Sequence, residues 1–159
     1  MRLPIALKYP LPKPGDAGYF GTHRSFDIHT GIDLYCDDGD PVYAMESGTV
    51  VATEAFTGVN AASPWWNDTW AVLVEGDSGV IVYGEIAIHP DICVGDPIEE
   101  GQLLGHVKKV LKKDKGVNPP SMLHLELMRH GHYDTQWWHA DQDQPDFLLN
   151  PITLFDGLI

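Results

Sequence analysis

Little in this sequence points to a membrane, a nucleic acid or a disulfide-built scaffold. No apolar run approaches the ~20 residues that a membrane-spanning helix needs. Basic residues are scarce: 10 Lys and Arg stand against 23 Asp and Glu, a formal net charge of −13 at pH 7. A surface of that sign repels a phosphate backbone, so no nucleic-acid partner is expected. The two cysteines, Cys36 and Cys93, have no CxxC spacing. Two free thiols are the expectation, with one disulfide left open. The opening stretch MRLPIALKYPLPKP has prolines inside a short apolar segment and no small-residue cleavage site, so it does not follow a signal-peptide pattern. Helical periodicity is missing almost throughout.

What is present is a series of short β-branched segments. TGIDLY, PVYAM, GTVVATE, TWAVLVE, GVIVYGEI, QLLGHV and MLHLELM are separated by Gly, Asp, Pro and Asn. Seven such segments in 159 residues predict an all-β fold, an antiparallel β-sandwich or barrel, in one domain with a sizeable core. A weak internal repeat supports duplicated β units. GDPVYAMESGTVV begins at Gly39 and GDPIEEGQLLGHV at Gly95, each with a proline at the strand entrance and a later glycine opening a strand.

Two stretches are too long for tight connections. TEAFTGVNAASPWWNDTW carries Trp65, Trp66 and Trp70, and RHGHYDTQWWHADQDQPDF carries Trp137 and Trp138. Such loops either pack over the ends of the fold or wall a groove with rigid aromatic surface. Half of the cations crowd into KKVLKKDK, at Lys108, Lys109, Lys112, Lys113 and Lys115. That run reads as a solvated loop, or as a patch beside a cleft that meets an anionic substrate.

DIHTGIDLY places His29 and Asp33 four residues apart with Gly31 between them. A helix is disfavoured there, yet a turn at Thr30 and Gly31 can bring the two side chains together. Histidine and carboxylate suit zinc, which in catalytic sites takes three protein ligands and a water. The pair alone is equally a histidine and an aspartate that share a loop. In SMLHLELMRHG, Met122, His124 and Glu126 alternate with Leu123, Leu125 and Leu127, so a strand presents the polar set on one face. A histidine in that place is a rigid ligand candidate or a hydrogen-bonded core histidine.

Taken in order, HTGIDL, GTVV, YGE, GQLLGHV, LHLEL and NPITLF resemble the lysostaphin-type zinc peptidases, which cut peptide cross-links in bacterial cell walls. The resemblance runs from about Tyr19 to Phe155, which makes residues 1–18 an N-terminal extension and 19–159 a single peptidase-like domain. It implies a β-sandwich of duplicated hybrid motifs with long loops over one end. It also implies one zinc ion held by His29, Asp33 and His124, and a cell-wall peptide as substrate. Two departures stand out: the family usually has histidine where this chain has Met122 and where YGE has Glu85. Those histidines orient the attacking water and stabilise the oxyanion, roles that a methionine cannot fill.

Glu85 occupies the position of one lost histidine and is therefore the candidate catalytic base. Strict alternation along GVIVYGEI puts it on the face of Ile81 and Tyr83. His23, Arg24, Trp65, Trp66, Met122 and Glu126 are candidates for substrate contact. The function implied is zinc-dependent hydrolysis of peptide bonds in peptidoglycan. The alternative is a catalytically degenerate member that keeps the metal and serves as a peptide- or cell-wall-binding or regulatory module. Synthesis in the cytosol with phage-type release, or a secreted domain trimmed of its leader, are the localisations compatible with the opening residues.

Overall fold

The computed structural model describes residues 1–113, 116 and 121–159. Nine strands hydrogen-bond into one sheet in which every pairing is antiparallel. They are β1 (Ile32–Cys36), β2 (Pro41–Tyr43), β3 (Gly48–Thr57), β4 (Thr69–Gly76), β5 (Gly79–Ile88), β6 (Pro97–Ile98), β7 (Leu103–Val107), β8 (Ser121–Met128) and β9 (Leu148–Leu149). Two single 3-10 turns, Val59–Ala61 and Pro151–Phe155, are the only helical pieces among the described residues, and no helix there is long and apolar enough to cross a membrane. All seven expected strand segments form. β3 and β5 run past their expected ends, because Phe56 and Ile88 still pack on buried neighbours.

The main path runs β1-β8-β5-β4-β3-β6. One face of it, carried by Leu34, Leu123, Leu125, Tyr83, Val72 and Val50, closes on Val42, Ile98, Leu104 and Val107 from β2, β6 and β7. Two apolar faces brought together in this way make the sandwich core. The opposite face of β4, β5 and β8 is covered by Ile28 and Trp138 from loops and by Leu148 of β9. The first residues also join the core: Ile5 is buried in it, and Arg2 N–H donates to Met45 O.

The repeated Gly-Asp-Pro units are used reciprocally. β2 pairs with β7, and β6 pairs with β3, so the short strand of each unit adds to the long strand of the other. Gly39 N–H donates to Val107 O and Val107 N–H to Asp40 O; Gly95 N–H donates to Val50 O and Val50 N–H to Asp96 O. A glycine in each long strand, Gly48 at the start of β3 and Gly105 inside β7, is needed for close approach. A Cβ at Gly48 would stand 2.2 Å from Glu75 O, and one at Gly105 would stand 2.2 Å from Ala87 O.

β5 changes partners partway along. Its first half pairs with β8, the last pair being Gly84↔His124, and its second half pairs with β7 from Ile86↔Val107 onward. Between those pairs sits Glu85 with φ 63°, in the left-handed region that non-glycine residues seldom adopt. A register shift opposite Trp70 and Val72 marks the same spot as a β-bulge. Cys36 and Cys93 are free, the first buried and the second exposed.

Candidate metal centre

Asp33 lies in β1 and His124 in β8, directly opposite each other in the register. His29 sits four residues earlier on the lead-in to β1. That lead-in lies flat against β8 only because residue 31 is glycine: a Cβ there would stand 2.2 Å from Leu125 O and 3.0 Å from His124 Nε2. Three atoms therefore converge, one from each side chain. His29 Nε2 is 3.1 Å from Asp33 Oδ1 and 3.3 Å from His124 Nδ1, and His124 Nδ1 is 2.9 Å from Asp33 Oδ1. All three residues are buried, and together they form a group that can hold a metal ion.

The dimensions of this triangle suit zinc. Tetrahedral coordination at ~2.0–2.1 Å requires ligand atoms about 3.3 Å apart, close to the observed edges. The groups behind the triangle suit it as well. His29 Nδ1 is 2.9 Å from Tyr19 O, to which it can donate, leaving Nε2 to face Asp33. His124 Nε2 is 2.9 Å from Glu126 Oε1, which also accepts a 2.6 Å bond from Thr30 Oγ1. Outer partners of this kind fix ring orientation and tautomer in metal-binding histidines. Phe56 packs a ring on His124, centroids 5.2 Å apart.

The charges are tightly linked. Burial alone would raise the Asp33 carboxyl, but hydrogen bonds from His124 and His29 hold it well below the usual carboxylate range. Burial disfavours the His124 cation, yet its bonds to Asp33 and Glu126 outweigh that and raise its pKa to about 10. The Glu85 carboxyl is pushed up to about 8, first by burial and then by the charge of Asp33, with His124 and Arg24 opposing. Its Oε2 is sealed from solvent and has no hydrogen-bond partner among the described residues, the condition in which a carboxyl holds its proton more firmly.

The alternation expected for Glu85 does not hold. Ile81 and Tyr83 are in the core and so is Ile86, which requires a break in parity between 83 and 86. The bulge supplies it, and it takes the Glu85 side chain out of the Tyr83 face and toward the charges of Asp33 and His124. Glu126 also differs from expectation. It is 2% exposed and its Oε1 is engaged by His124 and Thr30, so it stands behind the histidine and is not placed to meet substrate.

The other candidates are spread around the site. Arg24 reaches it, with Nη2 3.7 Å from Asp33 Oδ2. His23 is exposed and joins Ile28 only through a backbone bridge. Met122 is half-buried on the His124 face, opposite Tyr35. Trp65 is 63% exposed and stacks edge-on with Trp66, which bridges to Leu111; among the described residues no hydrogen bond or ring contact ties either to the triangle. In the late loop, Trp138 packs against Phe20 in the second core cluster while Trp137 stays exposed beside a concavity of about 740 Å³. None of the three converging residues lines that concavity. Lys108 N–H donates to Glu85 O, so the basic run begins at the site's edge; Lys115 lies outside the described residues. Thr30, Phe56 and Tyr35 were not legible from the motifs, although period two from Asp33 does place Tyr35 on the site face.

A buried His-Asp-His triangle in an antiparallel β fold, with a perturbed carboxyl that feels its charges, has the donor set of a metal centre. The sequence profile of peptidase family M23 matches residues 27–135, and the chain belongs to that family, whose members are zinc-dependent peptidoglycan endopeptidases. Solved structures share the fold. The catalytic domain of the antimicrobial peptidase lysostaphin from Staphylococcus simulans is 17% identical with a TM-score of 0.56, over 89% of this chain and 91% of that one. A mutant catalytic domain of the prophage-encoded protein EnpA from Enterococcus faecalis is 22% identical with a TM-score of 0.53, over 89% and 97%. LytU is 18% identical with a TM-score of 0.58, over 93% and 85%. No curated protein sequence matches the chain significantly.

Proposed function

We propose that the protein is a zinc metalloendopeptidase that hydrolyses peptide bonds in bacterial cell-wall peptidoglycan, with His29, Asp33 and His124 holding one zinc ion and Glu85 acting as general base. The observation that carries this reading is Glu85 itself. It is a partnerless carboxyl at a strained bulge, and the charges it feels are those of Asp33, His124 and Arg24. Strained backbone and perturbed carboxyls gather at active sites.

When bound, zinc supplies Lewis acidity and a positive charge, which polarise the scissile carbonyl, acidify water and favour the carboxylate form of Glu85. Glu85 then takes a proton from the water that attacks the carbonyl carbon. As the C–N bond breaks, Glu85 returns that proton to the leaving nitrogen, so one carboxyl serves as base and then acid. Tyr19 O and Glu126 hold the two imidazole rings in place, and Arg24 steadies Asp33 Oδ2 from the solvent side. Met122 takes no part in proton transfer.

The test is release of new amino groups from purified peptidoglycan by zinc-loaded protein. His124→Ala should lose both zinc and release; Glu85→Gln should keep zinc and lose release. Zinc bound with no release from several wall types would support the binding-module reading instead, the reading that Met122 favours.

A further inference from the structure

Ile32, Leu34 and Cys36 of β1 are in the core, so Asp33 and Tyr35 point to the opposite face, together with His124. The register sets Asp33 against His124 and Tyr35 against Met122. Tyr35 is thus the direct cross-strand neighbour of the methionine that stands where a histidine donor is expected. The point where a Cβ on Gly18 would stand is 2.9 Å from Tyr35 Oη and 3.2 Å from Asp33 Cβ, so the phenol head and the stem of the aspartate both pack against Gly18. Gly18 is itself buried, and its carbonyl accepts Asp33 N–H at 2.9 Å, which fixes that point relative to the site. Tyr35 is half-buried, and its hydroxyl has no hydrogen-bond partner among the described residues.

We propose that Tyr35 is a catalytic residue of the hydrolysis assigned above: its hydroxyl donates a hydrogen bond to the scissile carbonyl oxygen as that oxygen becomes an oxyanion. The inference rests on the metallopeptidase reading. When water adds to the carbonyl carbon, its proton goes to Glu85 and the C=O electron pair moves onto oxygen. Tyr35 keeps its own proton throughout and supplies only the hydrogen bond. When the C–N bond breaks, the pair returns to re-form C=O and the Glu85 proton leaves with the amine. Arg24 is a poorer donor for this purpose. It is exposed, and its Nη2 is already engaged by Ala17 O and Asp33 Oδ2. A half-buried donor whose head packs on the fold is better held toward a developing charge than one on an exposed, already engaged chain.

Tyr35→Phe removes a single oxygen and leaves the ring in place. Zinc affinity of the variant should match the parent. Its affinity for a tetra-alanine peptide whose central amide is replaced by a phosphinate, a tetrahedral oxyanion mimic, should fall about 10- to 100-fold. Affinity for plain tetra-alanine should change less than about threefold, and kcat on peptidoglycan should fall roughly 10²–10³-fold with KM nearly unchanged. Unchanged phosphinate affinity, or a kcat within about threefold of the parent, would overturn the proposal. The phosphinate comparison needs no turnover. A parent that releases no amine overturns the hydrolytic reading, while the Tyr35 contact is still decided by binding. A parent that does not prefer phosphinate to amide overturns both.

Discussion

Zinc binding should release protons in a number that Glu85 controls. In the metal-free protein His124 has a pKa of about 10 and Glu85 one of about 8. At pH 7, therefore, His124 is almost fully protonated and about nine-tenths of the Glu85 carboxyls keep their proton. An ion bound at His124 Nδ1 must displace the proton there. The cation's field then acts on Glu85, favours the carboxylate and expels a second proton. At pH 9 most Glu85 is already ionised, so only the His124 proton remains to be lost. The contrast is sharpest as a difference between parent and Glu85→Gln, in which every other proton source cancels: about one extra proton in the parent at pH 7, and close to none at pH 9. Calorimetric titration of zinc into chelator-stripped protein, in buffers of different ionisation enthalpy, counts these protons directly. Equal release by parent and variant at pH 7 would refute the reasoning, because Glu85 would then not feel the ion.

The same groups govern the stability of the metal-free protein. A folded-state pKa raised above the unfolded value gives stability that is present at low pH and lost as pH rises. The Glu85 contribution fades between about pH 4.5 and 8 and that of His124 between about 6.5 and 10, so the melting temperature should fall over this span. Glu85→Gln should remove the first part, leaving the metal-free variant more stable than the parent at pH 8 by an amount on the order of a few kcal/mol. A variant that melts together with the parent at both pH 5 and pH 8 would contradict this. Glu126→Gln, which weakens the group holding His124 Nε2, should reduce zinc affinity roughly 10- to 100-fold in a competition titration with a chelator dye. Gly31→Ala drives a Cβ into Leu125 O and should lower unfolding free energy by about 2 kcal/mol or more, and zinc uptake with it. Cys93 should react with a disulfide reagent in the native protein, whereas Cys36, buried and with its thiol pushed up to about 12 by burial, should react only after denaturation.

How much of this could be read in the sequence depended on how local the cause was. Alternating β-branched segments bounded by Gly, Asp and Pro gave the strands, since period two and turn chemistry act within a few residues. His29, Asp33 and His124 were legible because they recur in ordered motifs, even though Asp33 and His124 meet only through the β1–β8 register. The Glu85 bulge was not legible. Nothing in GVIVYGEI announces a left-handed glutamate, and the bulge exists because β5 must leave β8 for β7 at that point. Glu126 misled for a related reason: its strand parity was right, but facing the site and facing solvent differ once Thr30 and His124 close over the carboxylate. The packing of Tyr35 and Asp33 against Gly18 is a contact between segments that no local pattern encodes.

The losses at two histidine positions do not by themselves describe a decayed site. Decay removes constraint, and a chain freed from catalysis gains stability wherever a strained or unsatisfied group is replaced. Glu85 carries two such penalties. A non-glycine residue in the left-handed region costs about 1–3 kcal/mol, and a buried acceptor without a partner costs a further ~1–3 kcal/mol. Glycine at this bulge would relieve both. Retention of a carboxyl here, in a site whose Asp33 is held ionised and whose His29 and His124 are held in ligand-ready orientations by Tyr19 O and Glu126, fits a centre that still needs a proton acceptor beside its metal. Glu85→Gly separates the two accounts. In a site kept only for its fold it should raise the melting temperature and leave peptidoglycan behaviour unchanged. In a working peptidase it should raise the melting temperature and abolish amine release.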